Sequence, residues 1–282
     1  MAFSKWRCHE HPTPIHGYFY SMAEIGTVKF FMVHQIFEKI PADILESPEL
    51  GYVAHTPISI VLQDPKAVLF YTHIFNLFLL PMSRWPEYFK QHGPSEPTST
   101  STPFGYALGQ PDKSLYEILE DRPEMAASFN RTMAIALGDM PVIGAYNFRA
   151  QAIQEVTDEN DEVLRPVQKT VSSFFDGQPV KGALVYHIRR VLNDWPDENC
   201  VTILRHIREA CEPDSRVLVS EQLLPPQPSL NISAGDLWMM NFGGKRRSGR
   251  MFSELALKAG LRVSSIPKED SSNSAVIEMV PI

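Results

Sequence analysis

The stretch Arg190 to Asp197, RVLNDWPD, places an asparagine, Asn193, between an apolar run and a helix-like segment. A carboxamide has no group that takes up a proton near neutral pH, so Asn193 can hydrogen-bond a reactant but cannot act as its base. His187, upstream in the apolar run, is the side chain that could substitute; on a buried strand it reads equally as a hydrogen-bonded core residue. The basic run Lys245, Arg246, Arg247 and Arg250 reads most simply as the solvated start of a helix. Cys8, His9 and His11 lie close together, but their spacing matches no zinc motif and no metal is expected. The chain carries no GxSxG, HExxH or Walker loop.

These residues must be held by elements of two kinds. The first half is helical in pattern. GTVKFFMVHQIFEKI has apolar residues at helical spacing, and a short strand at Tyr52–Val53 with a turn at Pro57 follows. ISIVLQDPKAVLFYTHIFNLFLLPMSRWPEYFKQH predicts two or three helices and GPSEPTSTST a loop. DKSLYEILEDRPEMAASFNRTMAIAL predicts two more, with Met125, Phe129 and Met133 on one face of the second, most simply as core. EVTDENDEVLRP, with five acids between Glu155 and Glu162, predicts a solvated linker. Beyond it, GALVYHIRRVL, DENCVTILRHIREAC, SRVLVSEQLL and RMFSELALKAG alternate strand and helix, with Gly260 as a C-cap; LRVSSIPK and SAVIEMVPI read as paired strands. The expectation is an α/β chain: 1–150 mostly helical, 151–282 a mixed sheet with helices against it.

With 282 residues and 44% hydrophobic composition, the chain can bury a sizeable core. Its net charge of −7 argues against a nucleic-acid partner. Three widely spaced cysteines (Cys8, Cys200, Cys211) support neither a disulfide framework nor a zinc ribbon, and point to a reducing compartment. The N-terminus lacks a secretory apolar region, and the apolar stretch Ala67 to Met82 is too short to span a bilayer. No membrane association and a cytoplasmic location are expected.

The blocks VYHIRRVLNDWPDENCVTILRHIREACEPDSRVLVSEQLLP, GGKRRSGRMFSELALKAGLRV and SAVIEMVP, with HQIFEK…GYVAHTPIS and RPEMAASFNRTMA upstream, resemble the plant and fungal O-methyltransferases of the caffeate and hydroxyindole type. The resemblance covers most of the chain. It implies a mostly helical, winged-helix-like dimerisation and pocket domain before a Rossmann-like sheet that binds S-adenosylmethionine. In that family a histidine in HDWxD deprotonates the acceptor, held by two acids. Here Asn193 stands at the histidine, Glu221 matches one acid, and Arg246 replaces the other, after GGK. A permanent cation there opposes the formation of imidazolium, though it can polarise a carbonyl. Phe129, Asn130 and Met133 match the acceptor-pocket helix, and with Trp195 are the substrate-binding residues the resemblance implies.

The family's glycine loop is missing: no two of the 15 glycines are spaced GxG, and RAQAIQEVTDENDEVLRPVQKT is too short for a strand, loop, helix and ribose-binding acid. The expectation is therefore a truncated methyltransferase-like sheet lacking its nucleotide-binding half, with no cofactor. Its substrate would be an aromatic or polyketide intermediate, cyclised or rearranged in a pericyclase-like manner. Asn193, Arg246, His187 and Glu221 would be the catalytic residues. A non-catalytic partner subunit, and an S-adenosylmethionine-dependent enzyme whose gene model lost an exon, are the alternatives. In the family fold GALVYHI pairs with the first strand of the nucleotide-binding half. Its bared edge needs a cover: Val163 to Phe175, the N-terminal twenty residues or, as favoured here, a second copy in a homodimer.

Overall fold

A computed structural model describes residues 64–136, 170, 172–267 and 274–282. The helix expected at 26–40, the strand at Tyr52–Val53, the Cys8–His9–His11 group and the acidic run at 155–162 lie outside the described residues. The chain divides into two compact units, Met1–Leu79 with Glu124–Ile135, and Leu80–Pro123 with Ala136–Ile282.

In the first unit, helix α1 (Pro65–Ile74) starts where the sequence dictates. Asp64 is its N-cap, accepting from the Lys66 amide at 2.9 Å, and Pro65 occupies the first turn. A π-helical turn, Phe75–Leu79, continues it and buries Phe75 and Leu77. His73 is buried, with its ring 5.6 Å from that of Phe129, and desolvation lowers its pKa to about 4.

The second unit begins with α2 (Trp85–His92), α3 (Pro103–Ala107) and α4 (Leu115–Glu120). Ser114 and Glu117 close a capping box at the start of α4. Helix α5 (Pro123–Ala136), opened by a proline, belongs to the first unit, and the chain then re-enters the second. Then come β1 (Val185–Arg189), α6 (Asp197–Arg208), β2 (Arg216–Gln222), α7 (Leu230–Met240), α8 (Gly249–Lys258), β3 (Leu261–Ser265) and β4 (Ser274–Pro281). The sheet order is β1-β2-β4-β3; β1 and β2 are parallel, and β4 is antiparallel to both its neighbours. The mixed sheet expected from the sequence is therefore present.

The core lies where α6 and α8 cover one sheet face. Tyr186, Ile188, Val217, Val219, Ile277 and Met279 meet Ile203, Leu204, Phe252 and Leu255. Fully burying each large aliphatic side chain contributes about 1.5–3 kcal/mol. α6 carries Asp197 and Glu198 in its first turn and Arg205, His206 and Arg208 in its last, which complements the helix dipole.

Residues 80–123 join the sheet's unit, whereas the sequence draws its division near 150. The reason is specific contact: Trp85 Nε1 donates to Asn241 Oδ1 at 2.8 Å, the Phe104 amide donates to the Asn241 carbonyl at 3.1 Å, and the Phe104 ring lies 5.4 Å from Phe242. Helices α3 and α7 are absent from the sequence expectation. LNISAGDLWMM is apolar without a helical stripe and has glycine at its centre, but Ser229 caps it, accepting from the Ile232 amide.

Among the described residues β1 is an end strand. The Arg216 amide donates to the Leu184 carbonyl and the Arg190 amide to the Ser220 carbonyl, so the even-numbered residues bond to β2. Val185 and His187 then turn their backbone polar groups away from β2.

Candidate functional site

Asn193 occupies a 3-10 turn, Leu192–Asp194, that begins just beyond β1. The chain leaves the strand through Arg190, a non-glycine residue at φ 52°, in the left-handed region. The fully buried Leu192 then anchors the turn in the core. The Asn193 amide N–H points at Glu221 Oε1, 3.4 Å away at the end of β2, while its side-chain Nδ2 donates to Asp194 Oδ1 at 2.7 Å and lies 3.3 Å from Met239 Sδ. The structure thus brings Asn193 and Glu221 together, as the resemblance implies.

The GGKRR segment packs against this turn. The Lys245 amide donates to the Asn193 carbonyl at 2.9 Å. Gly244 permits that approach, since a methyl group there would collide with the same carbonyl. The basic run is not a solvated helix start. Arg247 is fully buried, with its guanidinium donating to Asp197 Oδ1 at 2.9 Å, the Leu192 carbonyl at 2.6 Å and the Trp195 carbonyl at 2.7 Å. It staples both ends of the Asn193 turn, because five fixed donors can satisfy several convergent oxygens at once. Lys245 bridges Glu96 and Asp197 at 2.8 and 3.0 Å. Arg250 is the exposed member, paired with Glu254 along α8. In sequence Arg247 had no mark distinguishing it from its basic neighbours.

Two buried carboxyls flank Asn193. Burial, reinforced by the charge of Asp194, pushes Glu221 up to about 8, so it holds its proton at neutral pH and can donate. Burial raises Asp194 to about 6, although the Tyr116 hydroxyl donates to it at 3.0 Å and Arg190 opposes the shift. Tyr116 is itself shifted upward by burial and by Asp194. Arg246 is half-buried, its backbone N–H donates to Asp236 Oδ1 at 2.7 Å, and desolvation lowers its pKa. A cavity of about 550 Å³ opens beside it, walled by Phe89, Leu224, Leu237, Met240 and Met251 together with the loop Pro94–Pro97.

The remaining expected residues lie apart from this group. His187 sits on β1 with Nε2 2.9 Å from Ser220 Oγ, and desolvation with the charge of Arg189 lowers its pKa; no contact joins it to Asn193 among the described residues. Trp195 stacks on Tyr116 at 5.4 Å and meets the edges of Phe174 and Phe175, an aromatic cluster that does not line the cavity. Phe129, Asn130 and Met133 are on α5 in the other unit; Asn130 is exposed, the other two half-buried.

Among the described residues, no glycine-rich turn follows a sheet strand to cradle S-adenosylmethionine, the donor that the family uses. Among the described residues, no strand flanks β1 on the side away from β2. α7 and α8 begin at serine caps, Ser229 and Ser248, rather than at a glycine turn that would leave amides for a nucleotide. Among the described residues there is no cluster suited to a metal ion and no helix long and apolar enough to cross a membrane.

Residues 140–262 match the O-methyltransferase domain family. The chain is 43% identical to Methyltransferase fsa4 of a Fusarium species, across 97% of each chain. It is 42% identical to Methyltransferase pynC of Aspergillus niger, across 95% of this chain and 97% of that one. The fsa4 alignment runs over 348 positions against 282 residues here, so at least 66 positions inside it (348 less 282) have no residue of this chain opposite them. Among solved structures, OxaC in complex with SAH and oxaline superposes with a TM-score of 0.82 at 19% identity, covering 96% of this chain and 88% of that one. LepI in complex with SAM gives 0.75 at 17%, covering 97% and 91%. A further structure, titled a pericyclic reaction enzyme, gives 0.74 at 17%, covering 97% and 91%.

Proposed function

The chain belongs to the O-methyltransferase family, and from that premise we propose that it has kept the family's pocket while losing methyl transfer. In this reading it is a donor-independent enzyme that cyclises or rearranges an aromatic or polyketide intermediate. The observation that carries it is the group around Asn193: an amide stands where the family's base stands, hydrogen-bonded to Asp194, beside a Glu221 that holds its proton. Asn193 and a protonated Glu221 can donate and orient, but neither can deprotonate a hydroxyl at neutral pH. Ring closure and pericyclic steps need shape, desolvation and a few fixed donors, which Asn193, Glu221 and Arg246 supply. The missing GxG loop and the unmatched positions of the fsa4 alignment support loss of the nucleotide-binding half. The likeness to a pericyclic reaction enzyme speaks only for a fold able to host such chemistry.

Calorimetric titration of the full chain with S-adenosylmethionine and S-adenosylhomocysteine tests the reading. No binding is expected, and a micromolar Kd would overturn it. Asn193→His alone should give no methylation of phenolic acceptors, since the restored base would face no bound donor.

The identity to chains named methyltransferases, joined to the same unmatched positions, favours one second reading: a donor-dependent methyltransferase whose given sequence lacks an internal segment. Sequencing the messenger RNA separates the two.

A further inference from the structure

Three consecutive cations leave the Gly243–Gly244 turn, and their surroundings differ. Lys245 is paired with Glu96 and Asp197, and Arg247 with Asp197 and two carbonyls. Among the described residues, the Arg246 guanidinium has no hydrogen-bond or ion-pair partner; its one bond is through its backbone N–H. It lines the apolar cavity of about 550 Å³. Of the acids on that cavity's wall, Glu96 pairs with Lys245, and Asp236 Oδ1 accepts from the Arg246 backbone while its charge partly offsets the burial of the guanidinium. Gly235, in the middle of α7, makes the room. Any side chain there would strike the guanidinium, so the helix gives up propensity at the point where Arg246 lies across it.

We propose that this cavity binds an apolar molecule through a planar carboxylate held by the Arg246 guanidinium. The assignment rests on the reading that the cavity receives the substrate. A guanidinium presents paired N–H groups matched to two carboxylate oxygens, and apolar walls that exclude water strengthen the pair. Partial desolvation of Arg246 is offset once a counter-anion is bound. The family's acid at this position would repel such a ligand, so the exchange to arginine reverses the ligand charge the cavity accepts.

The test is a fluorescence titration of the full chain with 1-pyrenebutyrate and, as its neutral counterpart, 1-pyrenebutanol. The acid should bind at least about 10-fold more tightly, the scale of one desolvated charge-assisted pair. Arg246→Gln should abolish the preference by weakening the acid alone, with the alcohol unchanged. Gly235→Ala, which keeps the arginine but displaces it, should act in the same direction. Arg250→Gln, exposed and outside the cavity, should keep the full preference. Equal affinities for acid and alcohol in the wild type, binding of neither, or a preference surviving Arg246→Gln would each overturn the proposal. No donor or turnover enters this titration. Its failure is therefore distinct from the detection of S-adenosylmethionine binding, which bears on the donor-independent reading instead.

Discussion

At the scale of single residues, charge and burial conflict most sharply at Arg247 and Glu221. Arg247→Met should destabilise the fold by about 3–5 kcal/mol, because Asp197 loses its buried partner and the carbonyls of Leu192 and Trp195 lose their donors. Urea denaturation measures this, and a change under about 1 kcal/mol would reduce Arg247 to a minor contact. Glu221 predicts a pH dependence. Its carboxyl ionises near 4.5 in the unfolded chain and near 8 in the folded one, so the folded state binds the proton more tightly. Stability is therefore unaffected by this group below the lower value, falls as pH rises between the two, and levels off above the upper. Glu221→Gln should remove most of that decline, by a few kcal/mol at pH 8, leaving the smaller one from Asp194 below about 6. Denaturant midpoints from pH 4 to 9 for both proteins decide it; parallel profiles would mean that Glu221 is ionised in the fold.

At the scale of elements, the site is a turn held between a strand end and a glycine pair. Gly244→Ala should cost several kcal/mol and disorder the Asn193 turn, since the added methyl meets backbone carbonyl rather than a movable side chain. Gly93→Ala, at φ 77° and ψ −179° with open space around its Cβ, should cost about 1–3 kcal/mol through backbone strain alone; thermal melts of the two compare steric collision with that strain. One side-chain bond from α2 reaches the end of α7. Trp85→Phe keeps the ring's bulk and removes the donor to Asn241 Oδ1, an expected loss of about 1–3 kcal/mol.

At the scale of the whole molecule, β1 is an end strand among the described residues, and its outer side could take a partner strand. Among the described residues it presents the outward backbone groups of Val185 and His187, with Leu184 and Val180 exposed nearby. We infer a homodimer that closes this edge, and light scattering should report twice the chain's 31.9 kDa. Val185→Pro removes an outward N–H without touching the ladder to β2, so it should weaken the dimer while leaving the monomer's fold intact. A stable wild-type monomer with this edge bare would defeat the inference.

Local chemistry made much of this legible from the chain alone. Gly260 marks a helix end, because a residue free to take positive φ acts on dihedrals within a turn. Compact apolar and β-branched runs marked the strands, and the family resemblance of the RVLNDWPD, SRVLVSEQLL and GGKRR segments marked Asn193, Glu221 and Arg246. What each charge meets was decided only in three dimensions. Lys245, Arg246 and Arg247 are adjacent and chemically alike, yet one bridges two acids, one lies against a glycine beside a cavity, and one is sealed beneath the turn. Their partners, Glu96, Gly235 and Leu192, are 149, 11 and 55 residues away in sequence, and no local pattern encodes such pairings. The same holds for α2 and α3, which join the sheet through Asn241 and Phe242. Burial likewise sets the protonation of Glu221, since only the packed chain withdraws the water that would otherwise keep it ionised.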